Sequence, residues 1–193
     1  MKESWKPGNM LYPLPAVMVS CGAEGKKPNI ITVAWAGTVC SDPAMVSISV
    51  RKERYSHALL AESREFVINL VPAGLAGALD FCGVKSGRDT DKFAERKLTA
   101  AAVPELQWAP AIEECPVNIL CRVKQILELG SHDMFLAEVA GVRVDSSLLD
   151  EKGSLNLEKA DLLCYSHGGY YALGKKLGTF GFSVKKPKGK TKK

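Results

Sequence analysis

The sequence predicts a mainly β fold with short helices (α+β), arranged as an antiparallel barrel that is closed or partly closed. Three short runs rich in Val and Ile come first, with only turns between them. A helical stretch follows the fourth run, and two longer alternating runs come after it. A doubly wound parallel sheet would need a helix after nearly every strand, so this order favours the antiparallel barrel.

The three early strands are expected at residues 14–20 (LPAVMVS), 30–35 (IITVAW) and 44–50 (AMVSISV). β-Branched residues favour strands, and clusters of Gly, Pro, Asn and Asp favour the turns between them. The segments CGAEGKKPN (21–29) and GTVCSDP (37–43) are therefore interpreted as turns.

The middle of the chain is expected to be helical around one further strand. Residues 56–62 (SHALLAE) hold helix formers behind Ser56, a candidate N-cap, and residues 65–70 (EFVINL) predict the fourth strand. A weak helix is expected at residues 73–82, where glycines lower the propensity, and a short one at residues 89–96.

The last part of the chain returns to strands. Residues 117–128 (VNILCRVKQILE) and 134–144 (MFLAEVAGVRV) predict two long antiparallel partners joined by the turn LGSHD. A short strand is expected at residues 162–165 (LLCY). The Gly-rich segment after it, residues 168–182, is expected to run extended over the surface.

Length and charge predict one domain with a basic tail. The chain has 193 residues and is 46% hydrophobic, which is enough for one sizeable core, expected over residues 1–183. The last nine residues carry six lysines, so removing them changes the net charge from +5 to −1. We expect residues 184–193 to be a disordered, solubilising tail and do not expect a nucleic-acid partner.

The cysteines and histidines show no metal-ligand spacing, so no metal site is predicted. The six cysteines are interpreted as small buried hydrophobes in a reducing compartment, with a redox or metal role as the alternative. No apolar segment resembles a signal peptide or reaches the roughly 20 residues that span a bilayer. The expected location is the cytoplasm.

Residues 28–56 hold the most informative pattern, because they combine apolar walls, an aromatic ring and positive charge. Two β-branched runs flank a small-residue turn that contains Trp35, and the second run ends in Arg51 and Lys52. Such a combination suits an isoalloxazine ring and its phosphate. Trp35 is expected to make flat contact with the ring or the ribityl chain; the alternative is an ordinary core or interface tryptophan.

The phosphate is expected among Ser49, Arg51, Lys52 and the helix N-terminus at Ser56. Helix N-termini favour anions through free N–H groups and the dipole, and Arg offers phosphate a planar fork. Arg51 is therefore preferred over Lys52. The alternative is that RKER (51–54) is a solvated charge run.

Hydrogen bonds to the ring edge or ribityl hydroxyls are expected from the second strand. Asn29 and Thr32 offer side-chain groups, and backbone amides between Thr32 and residue 36 offer N–H groups. Ala34 and Val50 complete the predicted cofactor-binding set on the two strands. Asn29 has the alternative role of shaping a turn after a proline.

An ordered set of motifs resembles one family. The motifs are P-x-P-A-V, N-x-x-T-V-A-W, S-D-P, a strand ending S-V-R, S-G-R-D-T-D-K-F and G-S-H-D followed by FLAEV. Over residues 10–182 they resemble the flavin reductase-like proteins with an FMN-binding split barrel, and most closely the flavoredoxin branch. The resemblance implies a homodimer that binds FMN and is reduced by NADH or NADPH, or that carries electrons between redox proteins.

The resemblance also implies the residues around the ring, which correspond to Trp35, Ser56, Lys92, His132 and Tyr165. Tyr170 and Tyr171 are nearby alternatives for the last aromatic position, and the family often has Thr where Ser56 stands. Lys92 is expected near flavin N1, where a cation stabilises the reduced form; the alternative is a solvated lysine paired with Asp89 or Asp91.

His132 is expected beside the flavin, near the access of the nicotinamide or partner, with an exposed turn histidine as the alternative. Hydride transfer needs no general base, so no catalytic residue is assigned. The leading interpretation is an FMN-dependent oxidoreductase or electron carrier. The alternative function is a non-catalytic flavin-binding module for storage or sensing.

Overall fold

The computed structural model describes residues 1–184 of the chain. Its strands are β1 Leu14–Pro15, β2 Val17–Cys21, β3 Asn29–Val33, β4 Ala36–Ser41, β5 Ala44–Arg51, β6 Glu65–Leu70, β7 Ala100–Ala101, β8 Ala111–Ile112, β9 Val117–Leu129, β10 His132–Val144, β11 Leu163–Ser166 and β12 Gly169–Ala172. Its α-helices are α1 Tyr55–Ser63, α2 Ala76–Val84 and α3 Lys92–Arg96, and short 3₁₀ turns occur at Ala73–Leu75, Ser146–Leu148, Leu157–Ala160 and Phe182–Val184.

Seven strands form one antiparallel sheet in the order β3-β2-β6-β9-β10-β5-β4. One face of β2, β3, β5, β6, β9 and β10 contributes to a single core around Ile48, Phe66 and Phe135, so the sheet wraps around that core. In the described part of the chain no ladder joins the edge strands β3 and β4, which leaves the barrel split. The predicted antiparallel barrel is confirmed.

Two smaller sheets and a second core lie outside the barrel. β1 pairs with β11, and β11 pairs with β12, in a three-stranded sheet; β7 pairs with β8. A second apolar cluster joins α2 to the outer side of β2 and β3 through Met18, Ile30 and Leu79. α2 and the segment after it therefore lie against β3, on the same side as the candidate site.

The helices were predicted at the right places, but the interpretation of Ser56 as an N-cap was wrong. α1 begins at Tyr55, and its N-cap residue, Arg54, makes no side-chain capping bond. Ser56 is instead 1% exposed, and its Oγ accepts a hydrogen bond of 2.7 Å from Asn29 Nδ2. A tertiary contact with β3 has therefore replaced the local cap.

Several strand bounds also differ from the predictions. The expected strand 14–20 is divided into β1 and β2, and β3 ends at Val33, so Trp35 lies in the connection that follows. His132 opens β10 and is not a turn residue. β4 and β12 formed where a turn and an irregular segment were expected. Both are exposed edge strands without an apolar alternation, so burial left no signal in their sequences.

Other sequence expectations concern the cysteines and the termini. All six cysteines are free; four are buried, and burial raises the pKa of Cys21, Cys115 and Cys121 to about 12. Among residues 1–184 there is no helix with the length and apolar character needed to span a membrane. The predicted basic tail, apart from Val184, lies outside the described residues.

Candidate functional site

Two adjoining cavities open between β3, β5, the start of α1 and the segment after α2. The first, which we call the basic cavity, has a volume of about 450 Å³. Within residues 1–184, its lining holds one carboxylate, Glu53, and five cations: Arg51, Arg54, Lys85, Arg88 and Lys92. This imbalance makes the cavity suited to an anion.

The second cavity, which we call the aromatic cavity, has a volume of about 370 Å³. Its walls include four ring side chains, Trp35, His132, Tyr165 and Tyr170, together with apolar residues of β3 and β5. Ile31, Arg51 and Arg54 line both cavities, so the two form one continuous cleft.

The floor of the basic cavity is a buried polar cluster of Asn29, Ser56 and Lys92. Asn29 and Lys92 are each 4% exposed, and Asn29 links β3 to α1 through its bond to Ser56. Gly87 lies directly against this cluster: a Cβ there would stand 2.3 Å from Asn29 Oδ1 and 2.7 Å from the Tyr55 ring. Only glycine fits this position without moving the floor.

Lys92 is a buried ammonium group held by main-chain oxygens. Its Nζ donates to Ile30 O at 2.6 Å and to Cys82 O at 2.8 Å. The alternative of a solvated lysine paired with Asp89 or Asp91 is therefore wrong. Removal from water lowers the pKa of Lys92, because burial disfavours the charged form.

Trp35 and His132 both line the aromatic cavity and lie next to each other. Their rings are nearly parallel, at 8°, with centroids 6.2 Å apart, and Tyr165 lies 6.4 Å from Trp35. Burial, with a smaller contribution from Arg51, lowers the pKa of His132 below its usual value. The register of β10 with β5 sets His132 opposite Arg51.

The other predicted residues lie around the same cleft. Thr32, Ala34, Ser49 and Val50 line the aromatic cavity. Thr32 Oγ1 donates to Leu79 O on α2, and Ser49 N donates to Trp35 O at 2.8 Å. The first bond joins β3 to α2, and the second joins the connection after β3 to β5.

Lys52 is absent from the residues lining either cavity. Its Nζ lies 2.8 Å from Glu128 Oε2 and 3.4 Å from Asp133 Oδ1, so it belongs to a separate ion-pair network. Arg51 lines both cavities, as preferred from the sequence, and its Nη1 lies 3.4 Å from Glu53 Oε1.

Sequence reasoning did not single out five charged residues that line the cleft: Glu53, Arg54, Asp80, Lys85 and Arg88. Arg54 belongs to RKER (51–54), for which a solvated charge run was the alternative interpretation. Arg88 belongs to the motif S-G-R-D-T-D-K-F, in which only Lys92 was assigned to the site. Both Tyr165 and Tyr170 line the aromatic cavity, whereas the exposed Tyr171 does not. Tyr170 contacts Asp80; burial and then this carboxylate raise the pKa of Tyr170.

Comparison with known proteins identifies the class to which this split antiparallel barrel belongs. The chain belongs to the flavin reductase-like family: residues 10–174 match the family model for the flavin reductase like domain.

The structure is similar to flavoredoxin of Desulfovibrio vulgaris (Miyazaki F), with a TM-score of 0.88 and 30% identity over 96% of this chain and 100% of that one. It is also similar to flavoredoxin from Methanosarcina acetivorans, with a TM-score of 0.85 and 27% identity over 96% and 100% of the two chains. The reductase component of a 4-nitrophenol monooxygenase from Rhodococcus opacus is 30% identical over 64% of this chain and 62% of that protein. The expected resemblance to the flavoredoxin branch is confirmed.

Proposed function

We propose that this protein binds FMN along the continuous cleft and uses it to transfer electrons. The observation that carries the proposal is the joining of a basic cavity to an aromatic one through Ile31, Arg51 and Arg54. FMN has the same division, because a dianionic phosphate and a planar ring stand at opposite ends of its ribityl chain. Membership of the flavin reductase-like family supports a flavin as the ligand.

The phosphate end of FMN is assigned to the basic cavity, beside Arg54, Ser56, Arg88 and Lys92. Lys92 can offer its remaining N–H to an anion, and the Arg side chains can offer forked donors. This assignment differs from the sequence-based prediction of Lys92 near N1. It is preferred because Lys92 lines the basic cavity and is absent from the lining of the aromatic cavity.

The ring end is assigned to the aromatic cavity, between Trp35, His132, Tyr165 and Tyr170. When bound there, FMN supplies reversible electron and hydride transfer. The protein residues orient the ring, exclude water from one side and adjust the local charge. His132 would place its imidazole beside the ring, with Ser131 Oγ 2.9 Å from Nδ1.

The proposed electron donor is NADH, NADPH or a redox protein, as expected from the sequence. The protein named as a reductase component of a monooxygenase favours turnover with a second protein. The competing function is a flavin-binding module without turnover, used for storage or sensing. A steady-state assay of NADH and NADPH oxidation separates the two functions, because a module without turnover oxidises neither nucleotide. Protein that is inactive in this assay is then tested for reduction of its bound flavin by a ferredoxin-like donor.

The test of the binding proposal is an FMN titration of the purified protein followed by its visible spectrum. We expect one FMN per chain. Arg51→Ala should weaken binding by about 1–3 kcal/mol, because charged hydrogen bonds to phosphate are lost. Lys124→Ala is the matched control, since Lys124 pairs with Glu138 on the β9–β10 hairpin and lines neither cavity. Protein that binds no added FMN would disprove the proposal.

A further inference from the structure

A mostly buried, hydrogen-bonded pair of side chains joins the two elements that carry the opposite ends of the candidate site. His57 Nε2 lies 2.8 Å from Asp133 Oδ2, and the side chains of His57 and Asp133 are only 18% and 7% exposed. His57 stands in the first turn of α1, and Asp133 is the second residue of β10. The pair therefore links the start of α1 to the start of β10.

Each member of the pair is the chain neighbour of a residue in the cleft. His57 follows Ser56 on the floor of the basic cavity, and Asp133 follows His132 on the wall of the aromatic cavity. Side chains alternate along a strand, so Asp133 points to the opposite side of the sheet from His132. On that inner side His57 also packs its ring edge against Phe135, with centroids 5.4 Å apart.

The first turn of α1 is held from two directions. On one side Asn29 of β3 donates to Ser56, and on the other His57 pairs with Asp133 of β10. Between Arg51 and the helix, Arg54 N donates to Arg51 O at 3.1 Å and His57 N donates to Arg54 O at 2.9 Å. Movement of α1 would therefore move Arg51 and Arg54, the two cations that line both cavities.

We propose that His57 and Asp133 are positioning residues for the cleft: they hold the basic cavity and the aromatic cavity at the separation that one FMN requires. This inference rests on the proposed function. Neither side chain lines either cavity, so both act through Ser56, Arg54 and His132.

The burial of the pair supports a role in geometry. Desolvating a carboxylate costs free energy that a single ion pair often does not recover, and an apolar pair of similar volume would stabilise the barrel at least as well. Lys52 Nζ lies 3.4 Å from Asp133 Oδ1, a longer contact than the 2.8 Å to His57, and its side chain is 47% exposed. The shortest contact of the Asp133 side chain is therefore the hydrogen bond to His57, and this bond fixes the position of α1.

The experiment compares substitutions at His57 that keep or lose the reach of the side chain. His57→Gln retains a donor at similar distance, and His57→Asn is one methylene shorter and cannot span to Asp133. We expect His57→Asn and Asp133→Asn each to raise the dissociation constant for FMN about tenfold, within the range of coupling energies for contacting residues. His57→Gln should stay within about threefold of the wild type on the same scale. The His57→Asn/Asp133→Asn double variant should be no weaker than either single variant.

The matched control is Glu138→Gln, which breaks an exposed ion pair to Lys124 on the same strand, β10. A second measurement is the NMR titration of the His132 imidazole in the protein without ligand, which should shift in His57→Asn but not in Glu138→Gln. A pair that only stabilises the fold would lower the unfolding temperature and leave the His132 titration unchanged.

Two outcomes would overturn the inference. One is FMN affinity in His57→Asn and Asp133→Asn equal to that of Glu138→Gln. The other is a His132 titration that is unchanged in variants that remain folded by circular dichroism. If Asp133→Asn fails to fold, His57→Asn is compared with His57→Gln, and identical His132 titrations in these two variants would overturn the inference. Failure of the wild type to bind FMN would instead disprove the proposed function, and the His132 titration would still test the pairing.

Discussion

At the scale of single residues, Lys92 places a buried positive charge at the floor of the basic cavity, where a ligand can contact it. Its ammonium group is removed from water and contacts carbonyl oxygens, with no carboxylate partner among residues 1–184. An isolated buried charge is unfavourable in the protein without ligand. A phosphate that reaches this group would supply the missing countercharge.

The first prediction concerns Lys92 and pH. Because its folded pKa lies below the unfolded value, the stability of the ligand-free protein should rise as pH increases from the folded pKa towards about 10.4, the usual value for lysine. FMN affinity should fall over the same interval, since the deprotonated amine attracts phosphate less. Fluorescence titrations with FMN and denaturant unfolding curves at several alkaline pH values measure both effects.

Lys92→Met is the variant that tests the assignment. It should weaken FMN binding by about 1.5–3 kcal/mol, the scale of a hydrogen bond to a charged group, and abolish the alkaline loss of affinity. The free energy of unfolding without FMN should not fall. A variant that binds FMN normally but shifts its midpoint potential would contradict the phosphate assignment and favour the N1 position predicted from the sequence.

Gly87 supplies a steric prediction. In Gly87→Ala the new Cβ would press on Asn29 Oδ1 and Tyr55, so the floor must move. We expect a loss of about 1–3 kcal/mol in unfolding free energy, typical of overpacking, together with weaker FMN binding. Gly74→Ala is the control, because a Cβ there meets nothing within 4 Å. Equal behaviour of the two variants in denaturant melts would contradict the tight contact.

The composition of the site was predictable only in part. Trp35 and Arg51 stood out as a rare aromatic and a charged residue at the ends of apolar runs, Ser56 as a helix start, and His132 through the family resemblance. Their division between two cavities was not predictable, since it depends on α2 and the segment after it folding against β3. Arg54 and Lys85 looked like ordinary surface charges, and only tertiary packing brings them to one opening.

At the scale of secondary-structure elements, the long strands followed directly from their sequences. β5, β6, β9 and β10 each bury part of their side chains in the barrel core, so burial produced apolar runs that predicted them within two residues at each end. β4 and β12 are edge strands, each paired on one side with the strand adjacent to it in sequence, β5 and β11 respectively. Backbone pairing, and not side-chain burial, stabilises them, so neither strand was predictable from an apolar pattern.

The contact between α1 and β10 predicts a pH effect. Partial burial raises the pKa of Asp133, but the hydrogen bonds from His57 and Lys52 outweigh it, and the net pKa is below its usual value. A carboxyl group whose folded pKa is lowered contributes stability above its unfolded pKa of about 3.9 and loses it as pH falls through the folded value.

The difference in unfolding free energy between the wild type and Asp133→Asn should therefore be full at pH 6 and should vanish as pH falls below the folded pKa of Asp133. Urea titrations at a series of pH values measure it, with Glu138→Gln as the exposed control. A difference that is constant down to pH 2 would mean that the charge of Asp133 plays no part in joining the two elements.

At the scale of the whole molecule, apolar surface remains exposed beside the aromatic cavity. A groove of about 630 Å³ borders Trp35 and Ser49 and is lined by residues of β4 and of the N-terminal segment. Met10 and Leu11 in that segment and Val39 on β4 are exposed. An edge strand beside apolar groups is a surface that proteins usually cover, and we propose that a second copy of the chain covers it.

Val39→Lys tests this proposed homodimer. The substitution adds a charge to β4 without entering the core, so the isolated chain should keep its fold. We expect the wild type to sediment as a dimer at micromolar concentration and the variant to dissociate, as measured by analytical ultracentrifugation. Lys124→Ala, on another part of the barrel, should leave the dimer intact. A monomeric wild type would contradict the proposal. The cytoplasmic location and the domain boundary at residue 183 are separate expectations from the sequence, and both stay predictions.

The crowding of five cations around one carboxylate has a consequence for how the protein selects among vitamin B2 compounds. Riboflavin carries the same tricyclic ring but no phosphoryl group, so its binding would leave the repulsion among these cations unrelieved. The cleft should therefore reject the free vitamin and accept only its phosphorylated product, and a phosphatase that removed that group would release the chromophore from the protein.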